Sequence, residues 1–159
     1  MSLGATHQRP GLDRHVMDEA ELAARLRVLM GGYAAERLVL KSVSTGAEND
    51  LKEATHLASR MVANYGMSQR LGPVFYEHDV EHPFLGQRIA VDGGMSAATA
   101  AAIEEEARVL LGRALVEATS TLDERRADLD RLAENLRQKE ALERADIEAV
   151  LGARESKRG

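Results

Sequence analysis

Apolar residues recur at helical spacing along most of this chain. Leu22, Ala23, Leu26, Leu29, Met30, Tyr33 and Ala34 form one stripe that runs to about residue 39. That three-and-four rhythm predicts an amphipathic helix, and Asp18 with Glu21 three residues later reads as its cap. Gly31 and Gly32 interrupt the stripe at about 1 kcal/mol each relative to alanine. Because the stripe continues on both sides, an unbroken helix whose bare backbone serves a close contact is favoured over a break.

A second stripe, Leu51, Ala54, Ala58, Met61, Val62 and Tyr65, predicts another helix closed by Gly66. Thr45 reads as its N-cap, with Glu48 at the third helical position completing a capping box. Ser96 caps a third, long helix carrying Ile103, Ala107, Leu110, Leu111, Ala114 and Ala118 on one side. A fourth is expected over about 123–138 on Leu129, Leu132, Ala133 and Leu136, and a short fifth on Ala145, Ile147 and Leu151. The final residues read as frayed.

The periodicity fails in two places. Residues 3–17 have no clear repeat, and 67–95 hold Pro73 and Pro83 with Gly72, Gly86, Gly93 and Gly94. There, Val74-Phe75-Tyr76 and Ile89-Ala90-Val91 are expected as two small strands. The fold expected is mainly α, a bundle of about five helices with a short irregular or β-containing segment at 67–95. A single domain over 1–159 is expected, its helical C-terminal part running from about 96 to 151.

Composition supports that class and trims the functions open to it. Apolar residues are 44% of the 159, but aromatics only 3%, so the core is built from Leu, Ala, Val and Met, which favour helices. A net charge of −5 argues against a nucleic-acid or anionic-membrane face. Without cysteine there are no disulfides and no thiolate metal ligands. No apolar run approaches the roughly 20 residues of a membrane span, so the chain by itself reads as soluble. Met1-Ser2-Leu3 is compatible with a start added in cloning, which would make the parent protein longer.

Two groups of residues invite a chemical reading. His78-Asp79-Val80-Glu81-His82 matches the inverted zinc-protease pattern His-x-x-Glu-His, which works only on a helix that puts both imidazoles on one face. Pro73, Pro83 and Gly86 surround it, Pro83 biases His82 away from helical geometry, and no apolar stripe accompanies it. A solvated loop is therefore the favoured reading there. His7, His15 and His56 share no metal-ligand spacing, and His56 is expected on the surface side of its helix. There is no phosphate-cradling glycine loop and no nucleophile elbow.

Asp50 is the other group. With Thr45 as cap it would be the fifth helical residue, past the first turn where acids are routine. At roughly 100° per residue it falls about 60° from the centre of the apolar stripe. A carboxylate on that flank needs a cation, a hydrogen-bond donor or a metal. From the residues alone, a structural salt bridge or helix–helix hydrogen bond is the favoured explanation.

The stretch "STGAENDLKEATHLASRMVANYGMSQRLGP" resembles the Thr-Gly-Ala-x-Asn-Asp-Leu segment and the Gly-Met-Ser…Leu-Gly-Pro continuation of the FtsH-type, membrane-anchored AAA+ zinc proteases. "LGATHQRP", "DRHVM", "GGYAAERL" and "FLGQ" follow in that family's order, so the resemblance runs from about residue 3 to 151. It implies a zinc held by two histidines of a His-Glu-x-x-His helix and by an aspartate that corresponds to Asp50. The motif glutamate would be the general base. The sequence contains no His-Glu-x-x-His; in the family that helix precedes the point where this chain begins.

Several expectations follow from that resemblance. This chain is expected to be part of a peptidase domain, with no catalytic residue of its own, Asp50 as its one zinc ligand, and no zinc bound to the fragment. The parent would use zinc, with ATP and magnesium in an ATPase module further upstream, and would degrade membrane and cytosolic proteins. It would assemble as a hexameric ring anchored in the bacterial inner membrane, this domain on the cytoplasmic side. Partners are protein substrates and copies of itself, with no nucleic acid and membrane contact only through upstream segments. Tyr33, Gln87 and Leu115 depart from residues common in the family. A free-standing, non-catalytic helical module for assembly or substrate contact is the alternative.

Overall fold

A computed structural model of the chain describes residues 16–76 and 95–152. Within them the element order is five α-helices with one 3-10 turn, and among the described residues there is no strand. The mainly α expectation is met.

Helix α1, Glu19–Leu40, begins where its cap dictates. The Asp18 carboxylate accepts from the Glu21 N–H at 2.8 Å, and the Glu21 carboxylate accepts from the Asp18 N–H at 3.0 Å. These two bonds satisfy donors that a helix start otherwise leaves open. The helix runs through Gly31 and Gly32 without a break. Among the described residues, however, the expected close contact is not found. Among the described residues a Cβ on Gly31 would meet nothing within 4 Å, and one on Gly32 would meet only Asp50 Oδ2 at ordinary contact distance, 3.7 Å.

Leu22, Leu26, Met30 and Ala34 are the buried residues of α1, spaced by four as one ridge. Helix α2, Glu48–Ala63, packs against it and buries Ala54, Ala58, Met61, Val62 and Ala63. Alanines at Ala34, Ala54 and Ala58, all fully buried, let these backbones approach closely. Helix α3 is Ala97–Glu124, with the Thr99 N–H donating to Ser96 Oγ at 3.1 Å as the expected cap. Leu26, Met61, Leu110 and Ala114 line one small cavity of about 40 Å³ where the three helices meet. A second contact point is the fully buried trio Val62, Ala63 and Ile103, against which Leu71, Tyr76, Met95 and Leu110 pack.

The start of α2 differs from the sequence expectation. Ser44, not Thr45, is the cap, and it caps a 3-10 turn over Thr45–Ala47, its hydroxyl accepting from the Gly46 N–H at 3.1 Å. Ala47 then leads into α2 with no side-chain cap. The sequence alone did not separate the two hydroxyl residues. What does is a carboxylate from α1: Glu36 accepts from the Ser44 N–H at 2.7 Å and from the Ser44 hydroxyl at 2.8 Å.

The segment after α2 is irregular, as expected for 67 onwards, but Val74-Phe75-Tyr76 is not a strand. Instead the Tyr76 N–H donates to the Ala63 carbonyl at 2.7 Å, and the Asn64 side-chain amide donates to the Tyr76 carbonyl at 3.1 Å. Gly66 sits at φ +65, and a Cβ there would lie 2.9 Å from Pro73 Cα, so glycine is required. Buried Ser68 donates to Glu106 of α3 at 2.7 Å and accepts from the Leu71 N–H at 3.1 Å, fastening this segment. Ile89-Ala90-Val91 lies outside the described residues.

The chain divides into two compact units, Met1–Thr119 and Ser120–Gly159. The second unit contains α4, Arg126–Lys139, and α5, Arg144–Leu151. Neither helix has a buried residue. Polar contacts join them instead: Lys139 Nζ meets Asp146 Oδ1 at 2.6 Å, and Arg125 Nη2 donates to the Leu151 carbonyl at 3.2 Å. Exposed pairs of this kind contribute little, about 0–1 kcal/mol each. Among the described residues no helix is long and apolar enough to cross a membrane.

Candidate functional site

Asp50 is the third residue of α2, so it lies inside the first helical turn. The expectation that placed it beyond that turn rested on Thr45 as cap and is corrected. An acid in the first turn is favoured by the helix dipole, although the 3-10 turn already takes up the Glu48 N–H, which donates to the Thr45 carbonyl. That accounts for part of what the sequence left unexplained, but not for the neighbour the side chain has found.

The Asp50 carboxylate is half-buried and points at α1 where α1 has no side chain, over Gly32. Among the described residues it has no ion-pair or hydrogen-bond partner. The structural salt bridge or helix–helix hydrogen bond favoured from the residues alone is not found among the described residues. A half-buried carboxylate with no partner among the described residues can accept a hydrogen bond or ligate a cation.

The turn that aims it is well held. Glu36 holds Ser44, Ser44 holds Gly46, and α2 starts directly after. The Glu36 carboxyl is kept below the ordinary carboxylate range, first by the Ser44 backbone N–H and next by the Ser44 hydroxyl. Sequence reasoning missed Glu36. The only signal for it was an acid near the end of α1 followed, eight residues on, by a cap hydroxyl.

The histidines do not gather around Asp50. His56 is half-buried rather than on the open surface, and it lines a groove between α1 and α2 of about 510 Å³. Six residues separate it from Asp50, about 600° of helix, so the two leave α2 on different sides. His7 and His15 lie outside the described residues, as does the whole His78–His82 motif. Among the described residues no three His, Cys, Asp or Glu side chains stand together in a group that would hold a metal ion. Asp50 is one oxygen donor, and a catalytic zinc needs three protein ligands. The described residues therefore do not by themselves fit a zinc ion.

Comparison with known proteins gives this geometry a context. The pattern of peptidase family M41 matches residues 1–150. The chain is 45% identical over 152 residues to the ATP-dependent zinc metalloprotease FtsH 4 of Sphaerobacter thermophilus, covering 96% of this chain and 23% of that protein. To the ATP-dependent zinc metalloprotease FtsH of Pelobacter propionicus it is 39% identical over 153 residues, covering 96% and 25%. The corresponding protein of Hahella chejuensis is 42% identical over 150 residues, covering 94% and 24%. The chain thus spans about a quarter of the length of the curated relatives it matches.

Proposed function

Since the chain belongs to peptidase family M41, we propose that it forms part of the peptidase domain of an ATP-dependent zinc metalloprotease, in which Asp50 is one ligand of the zinc. The observation that carries the reading is the family match over residues 1–150, joined to a half-buried aspartate that has no structural partner among the described residues. The other two ligands come from a His-Glu-x-x-His helix elsewhere in the whole protein, since none occurs in these 159 residues.

In this reading the chain alone holds no stoichiometric zinc, cleaves no protein and turns over no ATP. Its contribution is scaffold and one pre-aimed oxygen. Glu36, Ser44 and the 3-10 turn fix where α2 begins, and so fix the Asp50 side chain. A ligand aimed before the metal arrives avoids an ordering cost at binding. The whole protein acts on protein substrates, as a hexameric ring anchored in the bacterial inner membrane with this domain on the cytoplasmic side. These points are carried by the family alone.

The test uses a longer protein that contains a His-Glu-x-x-His segment ahead of residue 3. Zinc affinity is measured by chelator competition for that protein and for its Asp50→Asn form. Outer-shell partners of a metal are worth about 10–100-fold in affinity, so loss of a direct ligand should weaken zinc by more than about tenfold, with casein hydrolysis falling alongside. Unchanged zinc occupancy in the Asp50→Asn protein would make Asp50 a plain structural acid. His78→Ala with His82→Ala is the control and should leave zinc content alone. Loss of zinc in that pair would instead assign the metal to the inverted motif.

A further inference from the structure

The geometry points to the groove between α1 and α2 as a docking site for an acidic, amphipathic polypeptide segment. The groove is about 510 Å³, within the range of pockets that take a ligand or a few side chains of a peptide. Its apolar part is Leu22, which is buried, with Leu29 and Leu57, which are half-buried. Around them stand Arg25, Lys52 and Arg60, all exposed.

Cations on protein surfaces are usually interspersed with acids, and this chain has more acids than bases. The second unit pairs most of its arginines with carboxylates one helical turn away. In the groove, by contrast, none of Arg25, Lys52 and Arg60 has a carboxylate partner among the described residues. Arg60 lies over the Tyr65 ring, 5.3 Å from its centre, which fixes the guanidinium without neutralising it. Among the described residues the one acid of the lining, Glu53, is already bonded by the Asn49 amide at 3.2 Å. A site with an apolar floor and an unpaired cationic rim, on a protein of net charge −5, is complementary to apolar anchors flanked by carboxylates.

Shape decides between acidic partners. An anionic membrane is flat and engages a protruding or amphipathic helical face, whereas this site is recessed between two helices. A helix or strand of another polypeptide can lay side chains into such a recess. The inference is independent of the zinc reading, because it uses neither Asp50 nor the metal.

The experiment follows fluorescence anisotropy of a labelled peptide, with paired leucines one helical turn apart flanked by glutamates, titrated with the whole 159-residue chain. Saturable binding that weakens with added salt is expected. Arg25→Glu combined with Lys52→Glu should weaken it about tenfold, or about 1.4 kcal/mol. Both residues are exposed, so the fold should survive, as far-UV circular dichroism would verify. Arg25→Gln with Lys52→Gln gives the same direction with a smaller loss and serves if the reversed pair misfolds. Replacing the peptide's glutamates by glutamines, or its leucines by alanines, should remove binding.

Four results would overturn the assignment. They are no saturable binding, equal affinity for the glutamine peptide, tighter binding to phosphatidylserine vesicles than to the peptide, or a dimer in sedimentation that the charge reversal dissolves. The last would give the groove to a second copy of the chain.

Discussion

A Cβ placed on Gly32 of α1 would stand 3.7 Å from Oδ2 of Asp50 on α2. The carboxylate thus looks onto bare helix backbone, with no side chain between it and α1. That distance is ordinary van der Waals contact, so a single methyl fits.

Gly31→Ala and Gly32→Ala should each stabilise the chain by up to about 1 kcal/mol, the propensity gain of alanine inside a helix. Gly31 is the cleaner case, because its added methyl meets nothing within 4 Å among the described residues. Gly32→Val should forfeit the gain, since a branched side chain crowds the Asp50 carboxylate and is a poorer helix former. Urea denaturation of the variants measures this. Destabilisation by Gly31→Ala would show that the bare backbone at Gly31 serves a close contact after all.

Gly66→Ala should cost at least about 1–2 kcal/mol, because the left-handed backbone penalises a Cβ. The new atom would also lie 2.9 Å from Pro73 Cα, a backbone atom that cannot swing aside. An unchanged urea midpoint would contradict this assignment of strain.

Ile103→Ala should cost about 2–5 kcal/mol. Ile103 is fully buried against Val62 and Ala63. Val109→Ala on the exposed side of the same helix is the comparison and should fall within about 0.5 kcal/mol of the parent.

Acid should loosen the Glu36–Ser44 clip. The Glu36 carboxyl is held below its ordinary range, so the folded chain binds that proton more weakly than the unfolded chain. Its stabilising contribution is complete above the ordinary carboxylate pKa and disappears as pH falls through the lowered folded value. Melting curves of the parent and of Glu36→Gln should therefore differ at neutral pH and converge in acid. A gap that stays constant with pH would mean the clip works by shape and not by charge. Ser44→Ala, which removes the cap hydroxyl, should cost about 1 kcal/mol.

The helices were legible because their stripes are long and their starts carry local signals: Asp18 with Glu21, and Ser96 before Ala97. Periodicity marks which face is buried, and Leu22, Leu26, Ala54, Ala58, Met61, Ile103 and Ala107 are inside as expected. What sequence could not supply was the long-range contact that chooses between neighbours. Ser44 and Thr45 are both good caps, and only Glu36, held in α1, selects the first. The turn in which Asp50 falls depends on that choice, whereas its flank is set by its spacing to the stripe alone. Val74-Phe75-Tyr76 has strand composition, yet an extended piece becomes a strand only beside another, and its backbone is spent on the end of α2. The groove was invisible for a similar reason: Arg25 and Lys52 share a rim only once α1 and α2 are packed.

Helix α2 is secured at both ends by groups from outside itself, Glu36 through the Ser44 turn in front and Tyr76 on Ala63 behind. Amide exchange with deuterated solvent would read this as a gradient in opening. Fraying normally begins at helix ends, and here both ends are clamped, so the amides of Ala58 to Ala63 should open only when the whole first unit does. In α4 and α5, where nothing is buried, exchange should be complete long before. The chain then has a slow centre and a fast C-terminal end, and Asp50 sits at the near edge of the slow part.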